Sequence, residues 1–76
     1  MGFKKYLPLK PKEIESTLKR FGFVFKRQVG SHCHWEGTVN GKRRIVTVPQ
    51  YSEIASRNLL KSIFEQSGVG LHEFYR

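Results

Sequence analysis

Aspartate is absent from this sequence, and cysteine occurs once, as Cys33. A single cysteine excludes an intramolecular disulfide and a cysteine-rich zinc site. No apolar run approaches the roughly 18 residues that a membrane-spanning helix needs, and the first residues lack the apolar stretch of a signal peptide. These absences predict a cytoplasmic protein with a reduced thiol and no membrane association.

Acidic residues are also few, which leaves the charge one-sided. Fourteen Lys and Arg oppose six Glu, for a net charge of +8, and the basic residues run from Lys4 to Arg76 without forming one block. Such a surplus attracts polyanions through a long-range, salt-sensitive term. We therefore expect nucleic acid as a partner, although an acidic protein would suit the charge equally well.

The length allows one domain. A chain of 76 residues buries only about 60% of the surface that its unfolded form exposes, so it has room for one thin core. We expect residues 1–76 to form that single domain, with residues 1–10 as a basic, flexible leader.

The segment PKEIESTLKRFGF predicts a helix. Ile14, Leu18 and Phe21 recur at i, i+4 and i+7, which places them on one face as core residues. Pro11 suits the first turn, and Gly22 suits a left-handed stop.

Strand signals follow this helix. Residues 23–29 are apolar and β-prone at their start, Gly30 supplies a turn, and a second strand begins near Ser31. The dipeptide Asn40-Gly41 is typical of a two-residue type I′ hairpin, because both positions need positive φ. It predicts a third strand over residues 43–48.

A second helix completes the chain. Ser56 or Asn58 can cap its start and Gly68 can end it. Its apolar face consists of Leu59, Leu60, Ile63 and Phe64. The fold class is therefore α+β in the order α-β-β-β-α. We expect a three-stranded antiparallel sheet with both helices on one face and the other face open.

The run QVGSHCHWEG falls on the second strand. Side chains alternate across a strand, so Cys33 and Trp35 share one face while His32, His34 and Glu36 share the other. This alternation separates the thiol from both imidazoles and disfavours a Cys-His nucleophile. Cys33 and Trp35 are predicted to lie in the core.

The two histidines have three interpretations at this point. They are spaced by two strand residues, about 6.6 to 6.8 Å, and could bind Zn²⁺ if Glu36 or His72 supplied a third ligand. They could instead be solvent-facing residues without a role. Thirdly, an imidazole among cations could cut RNA, because it exchanges a proton near neutral pH while the cations stabilise the phosphorane.

The order and spacing of three segments resemble the HicA family of toxins from bacterial toxin-antitoxin systems. These segments are GFVFKRQVGSHCHW, RRIVTVP and LLKSIFEQSGV followed by EF. The resemblance implies a double-stranded-RNA-binding-domain-like fold, cleavage of mRNA, and inhibition by a HicB antitoxin that covers the catalytic surface. Gly30, Ser31 and His32 match the family's G-S-H motif, which implies that His32 is catalytic.

The sequence departs from the family pattern in its hairpin and in its last helix, and it adds the basic leader GFKKYLPLK. The hairpin TVNGKRR replaces a shorter His-Pro type, and the last helix opens with Asn58-Leu59-Leu60 where relatives often have Gly-Thr-Leu. The first change puts the RNA contacts of the hairpin in doubt. The second leaves the cap of the last helix to Ser56 or Asn58.

Three hypotheses result. The first is a type II toxin that is a metal-independent endoribonuclease without a cofactor, monomeric when free. Its expected residues are catalytic His32, phosphate or RNA ligands Gly30, Ser31, Lys26, Arg43 and Arg44, and accessory His34, Arg57 and Lys61. The second is a non-catalytic RNA-binding module. The third is a metal-dependent protein that uses His32 and His34.

Overall fold

A computed structural model describes residues 6–76. The elements are α1 (Pro11–Arg20), β1 (Val24–Val29), β2 (His32–Val39), β3 (Lys42–Pro49), α2 (Arg57–Ser67) and a 3₁₀ turn (Leu71–Tyr75). The strands form one antiparallel sheet in the order β1-β2-β3, with both helices beside it. The predicted α+β class and its α-β-β-β-α order are confirmed.

The start of α1 follows the capping rules that predicted it. Pro11 is the first helical residue, where its missing N–H group would have had no partner within the helix. The Glu13 carboxylate accepts a hydrogen bond from the Lys10 backbone N–H at 2.8 Å. The helix ends at Arg20, and Gly22 then takes a positive φ of 87°.

The caps of α2 also match the sequence. Of the two predicted N-caps, Ser56 is the one used, and its hydroxyl accepts from the Leu59 backbone N–H at 3.2 Å. Gly68 ends the helix in the left-handed region, with φ 71°. No helix within residues 6–76 is long and apolar enough to cross a membrane.

The core lies between the helices and the inner face of the sheet. Its buried apolar side chains are Leu9, Ile14, Leu18, Phe23, Cys33, Trp35, Val46, Val48, Ile54, Leu60, Ile63, Phe64, Val69 and Phe74. The prediction for Leu59 holds only in part, since that side chain is half-buried against the core.

Phe21 corrects one sequence prediction. Its side chain is 36% exposed, because α1 ends at Arg20 and the helical periodicity that placed Phe21 inward stops there. The ring instead lies under the Arg20 guanidinium, 5.5 Å from ring centroid to Cζ. Phe23, two residues later, is buried in its place.

The predicted core pair on β2 is confirmed. Cys33 and Trp35 are both buried, and burial raises the pKa of the Cys33 thiol, with a smaller contribution from the Glu15 carboxylate. The Trp35 indole N–H donates to Glu15 Oε2 at 2.9 Å, and the Gln50 side-chain amide donates to the same oxygen at 3.0 Å. A buried indole therefore has its polar partner.

Two short turns join the strands. Asn40 and Gly41 have φ of 55° and 73°, as the predicted type I′ hairpin requires. Gly30 takes φ 58° at the first position of the other two-residue turn, and Ser31 follows it. Because a two-residue turn fixes the register of its strands, these turns decide which side chains become neighbours.

The leader prediction covers residues 1–10, of which residues 1–5 lie outside the described residues. Further along, Leu9 is buried and forms an antiparallel bridge with Ile54, with N–H to O distances of 3.0 and 2.7 Å. The Tyr75 hydroxyl donates to the Leu7 carbonyl at 2.6 Å. The expectation of a flexible leader therefore does not extend to Leu9, which is held by the loop before α2.

Gly37, on the inner face of β2, yields a stability prediction. A Cβ atom there would lie 2.7 Å from the nearest atom of the buried Phe23 ring. We expect Gly37→Ala to lower the free energy of unfolding by about 1–3 kcal/mol, the usual cost of overpacking a core. Urea denaturation followed by circular dichroism measures this.

Gly70→Ala is the matched control. Its Cβ atom would meet the His72 ring at 2.9 Å, but His72 is exposed and can move aside. An equal loss of stability in both variants would contradict the packing of Phe23 on Gly37.

Candidate nucleic-acid interface on the open face of the sheet

The face of the sheet away from the helices carries His32, His34 and Glu36 along β2. In register with them are Pro49, Thr47 and Ile45 on β3, and Val29, Arg27 and Val24 on β1. Residues directly opposite on antiparallel strands share a face. His32 is exposed, whereas His34 and Glu36 are half-buried, so the predicted alternation is confirmed.

A β-bulge brings a second cation to this face. Phe25 pairs with Trp35 and Arg27 pairs with His34, so two steps on β1 oppose one step on β2 and Lys26 is the extra residue. A bulge bends the strand and re-aims its side chains. As a result, Lys26 and Arg27 both line the same concavity, although a regular strand would send neighbours to opposite faces.

This concavity has a volume of about 190 Å³. Its lining consists of Lys26, Arg27, His34, Glu36, Arg43 and Ile45. The three cations come from the two outer strands, so they flank the side chains of β2. Their convergence makes this part of the open face suitable for an anion.

Glu36 is ion-paired inside the concavity. Its Oε2 accepts a hydrogen bond from Arg43 Nε, and its Oε1 lies 3.8 Å from Lys26 Nζ. The hydrogen bond from Arg43 holds the pKa of Glu36 below its ordinary value; partial burial opposes this, and the charges of Arg43 and Lys26 add to it. Glu36 is therefore a carboxylate at neutral pH.

His34 is held by a neighbouring strand. Its Nδ1 lies 3.2 Å from the Thr47 hydroxyl oxygen, and either group can be the donor, depending on the tautomer of the ring. This contact fixes the plane of the imidazole and engages one of its two nitrogens. Nε2 is therefore the nitrogen that a ligand in the concavity would meet.

His32 lies two residues along β2, about 6.6 to 6.8 Å of strand length from His34. It is the first residue of the strand, directly after the Gly30-Ser31 turn. The Gly30 carbonyl accepts from the Gln28 side-chain amide at 2.9 Å, and the Ser31 carbonyl accepts from the Gln50 backbone N–H at 2.6 Å. The turn that presents His32 is thus held on both sides.

The other predicted RNA ligands divide between the two sides of the sheet. Arg43 lines the concavity, but Arg44 points to the helix side, where a Cβ added to Gly68 would lie 2.7 Å from Arg44 Cζ. Arg57 lies on α2 over the Tyr6 ring, 5.4 Å from its centroid. Arg44 and Arg57 therefore lie apart from the histidines, and their binding of RNA stays a prediction.

Lys61 also lies on α2 and lines a separate concavity of about 310 Å³, which Tyr6 and Phe64 share. This second concavity is on the helix side of the molecule, away from the open face. The role of Lys61 as an accessory RNA contact likewise stays a prediction.

The metal hypothesis needs three ligands in one place. Within residues 6–76 no three His, Cys or Glu side chains converge in a way that could hold a metal ion. Of the two suggested third ligands, Glu36 is engaged by cations, and His72 Nε2 lies 3.5 Å from Glu73 in the 3₁₀ turn. The hypothesis therefore lacks its cluster in this part of the chain.

Sequence reasoning missed Thr47 and the pairing of Glu36 with Arg43. A signal for both was present in the sequence. Counting outward from the Asn40-Gly41 turn pairs His34 with Thr47 and Thr38 with Arg43, and Glu36 lies two residues from Thr38 on the same face of β2. The same count places Arg44 on the inner face. No comparable signal announces the bulge at Lys26.

The fold and the site together define a small α+β domain with a cationic, histidine-bearing open sheet face. A sequence model of the family described as "HicA toxin of bacterial toxin-antitoxin" matches residues 11–69, from the start of α1 to just beyond α2. The chain belongs to the HicA toxin family of bacterial toxin-antitoxin systems, as the sequence resemblance predicted. No similar sequence was found among curated proteins.

The two ion-paired glutamates allow a test of these electrostatics. Arg43→Gln should raise the pKa of Glu36 toward its ordinary value, because the lost hydrogen bond is the main cause of the lowering. Because the pKa of Glu36 is lower in the folded state than in the unfolded state, its ionised carboxylate stabilises the fold at pH values above the unfolded-state pKa. This stabilisation is lost as the pH falls through the folded-state pKa. Side-chain carboxyl titration by NMR measures the shift.

Arg76→Gln is the matched control. The Arg76 guanidinium is the main cause of the lowered pKa of Glu73, so each substitution should move its own glutamate and leave the other in place. An unchanged pKa for Glu36 in Arg43→Gln would show that this ion pair does not persist in solution.

Proposed function

We propose that this protein is the toxin of a type II system and acts as a metal-independent endoribonuclease that cleaves mRNA. One observation carries the proposal. In a chain of the HicA family, the histidine of G-S-H is exposed on the same open face as a concavity lined by Lys26, Arg27 and Arg43. The proton-transfer group and the phosphate-binding cations can thus reach one RNA strand.

In the proposed reaction, neutral His32 takes the proton of a ribose 2′-OH as that oxygen attacks the adjacent phosphorus. Backbone N–H groups at Gly30 and Ser31, beside His32, position the phosphate that is cut and stabilise the negative charge of the pentavalent phosphorane, while Lys26 and Arg43 bind the RNA backbone further along β2. The imidazolium then returns its proton to the 5′-oxygen, which leaves as a hydroxyl. The products are a 2′,3′-cyclic phosphate and a 5′-hydroxyl, so protons balance with one histidine.

The remaining predicted residues are assigned secondary roles. His34 lies two residues from His32 and is proposed to contact the phosphate next to the one that is cut. Arg44, Arg57 and Lys61 lie on the helix side, so they would bind only RNA that extends around the domain. We expect their removal to weaken binding more than catalysis.

The second candidate function is a non-catalytic RNA-binding module. It is favoured by the position of the cations, since the concavity contains His34, and His32 lies beyond it on β2. A binder needs the cations but does not need His32, and its affinity should fall steeply with salt. Cleavage assays therefore separate the two candidates.

Replacement of His32 is the test of the nuclease function. We expect His32→Ala to lower cleavage of a labelled RNA in EDTA by about 10²- to 10⁴-fold, the range for a lost general acid-base group. Binding of the same RNA should change little, because the cations remain. Equal circular dichroism spectra verify that both proteins are folded.

His72→Ala is the control, because His72 is an exposed histidine in the 3₁₀ turn. It should cleave like the unmodified protein, while His34→Ala should show an intermediate loss. Binding without cleavage in every buffer would favour the module, and cleavage that survives His32→Ala would remove His32 from the mechanism.

We also propose that a HicB-type antitoxin covers the open face and buries His32, and that the free toxin is a cytoplasmic monomer. Three exposed apolar side chains support a protein partner there: Val24, Val29 and Ile45 have 54–57% of their surface exposed. Val24 and Val29 lie on either side of Lys26 and Arg27 along β1, and Ile45 lines the concavity with Arg43, so an acidic partner with apolar side chains would complement this face.

Ile45→Lys tests this interface. It removes an apolar contact while it keeps the face cationic, so affinity for a cognate HicB-type protein should fall by about tenfold, as for a central interface residue. RNA binding should be kept or strengthened. Isothermal titration calorimetry measures the first, and affinity no better than for a random acidic protein would contradict the proposed partner.

A further inference from the structure

The Glu36 carboxylate lies between cations of both outer strands. Its Oε2 is bonded to Arg43 on β3, and its Oε1 faces Lys26 on β1 at 3.8 Å. Both cations, together with His34, line the concavity described above. One carboxylate thus engages two of the three cations through which this face would bind an external anion.

The chemistry of the two donors does not distinguish a carboxylate from a phosphodiester. Both anions present two oxygens that share one negative charge, and an arginine guanidinium or a lysine ammonium binds either of them. An RNA phosphate in the concavity would therefore need the same N–H groups that Glu36 now occupies.

We propose that the concavity is a subsite for one RNA phosphate and that Glu36 is its internal occupant, which the phosphate must displace. Glu36 then acts as a competitor tethered to β2, and it weakens the binding of RNA by this face. The identity of the ligand as RNA rests on the proposed function, but the subsite does not depend on cleavage by His32.

Displacement is feasible because the ion pairs are near the surface. The Arg43 and Lys26 side chains are 69% and 51% exposed, and ion pairs that reach solvent are individually weak and screened by salt. Glu36 is half-buried and does not belong to the buried core, so core packing does not hold its side chain in place. The Arg43 and Lys26 groups would then turn to the incoming phosphate.

A different role for Glu36 predicts the opposite sign. If Glu36 orients Arg43 in the RNA complex, its removal weakens binding. If Glu36 competes with RNA, its removal strengthens binding. Because the two roles change affinity in opposite directions, one substitution separates them.

The experiment measures binding of Glu36→Gln to a fluorescent 2′-O-methyl RNA, which lacks the attacking hydroxyl and cannot be cut. We expect affinity about two- to fivefold higher than for the unmodified protein, the range for an exposed ion pair. The slope of log affinity against log salt should steepen by about 0.7 to 1.4, because one or two cations become available to the single strand. Fluorescence anisotropy at several salt concentrations gives both values.

Glu65→Gln is the matched control, because it makes the same change of charge at an exposed position on α2, behind the sheet. Glu65→Gln should raise the affinity for this RNA by less than half as much as Glu36→Gln does. In an Arg43→Gln background the gain from Glu36→Gln should shrink, since the competition acts through Arg43.

Equal effects of Glu36→Gln and Glu65→Gln, weaker binding of Glu36→Gln, or no RNA binding by any form would each overturn the subsite. Tighter binding of Glu36→Gln without any cleavage of ordinary RNA would support the subsite and contradict the nuclease. The two proposals can therefore fail separately.

Discussion

The central strand β2, hydrogen-bonded on both sides, is the constraint on which the rest of this structure depends. Because β2 is paired along both edges, its side chains have only two directions. Cys33 and Trp35 enter the core, and this obliges His32, His34 and Glu36 to face away from the helices. The core and the candidate site are therefore two sides of one strand. A change of register by one residue would exchange them.

The neighbours of β2 give the open face its chemistry. β3 supplies Thr47 to His34 and Arg43 to Glu36, and the bulged β1 supplies Lys26 and Arg27 together. His32 is thus exposed beside a turn, whereas His34 lies among the cations of the concavity. The proposed function uses this separation, with proton transfer at His32 and phosphate binding at the concavity. In the proposed subsite, Glu36 occupies Arg43 and Lys26 until an RNA phosphate displaces it.

Local sequence signals predicted the order and the ends of the helices and strands well, because each signal has a short-range physical cause. Pro11, Ser56 and Gly68 set helix ends through single backbone requirements, and all three act as predicted. Asn40-Gly41 fixed a hairpin because both residues tolerate positive φ. The prediction for Phe21 failed for a related reason: it lies one residue beyond the end of α1, where helical periodicity no longer sets the direction of a side chain. Periodicity indicates a face, but it does not indicate where the helix stops.

The sequence by itself determined the order of elements, the inward Cys33-Trp35 pair and the outward histidines, since backbone geometry and side-chain alternation act over a few residues. Tertiary structure decided which cations join the histidines. The hairpin register, which can be counted from the Asn40-Gly41 turn, put Arg43 on the open face and Arg44 on the helix side, but only the folded sheet shows the bulge that admits Lys26 and the concavity that these cations share. These outcomes depend on contacts between strands, because the partner of each side chain is chosen by register and bulging and not by its own sequence neighbours.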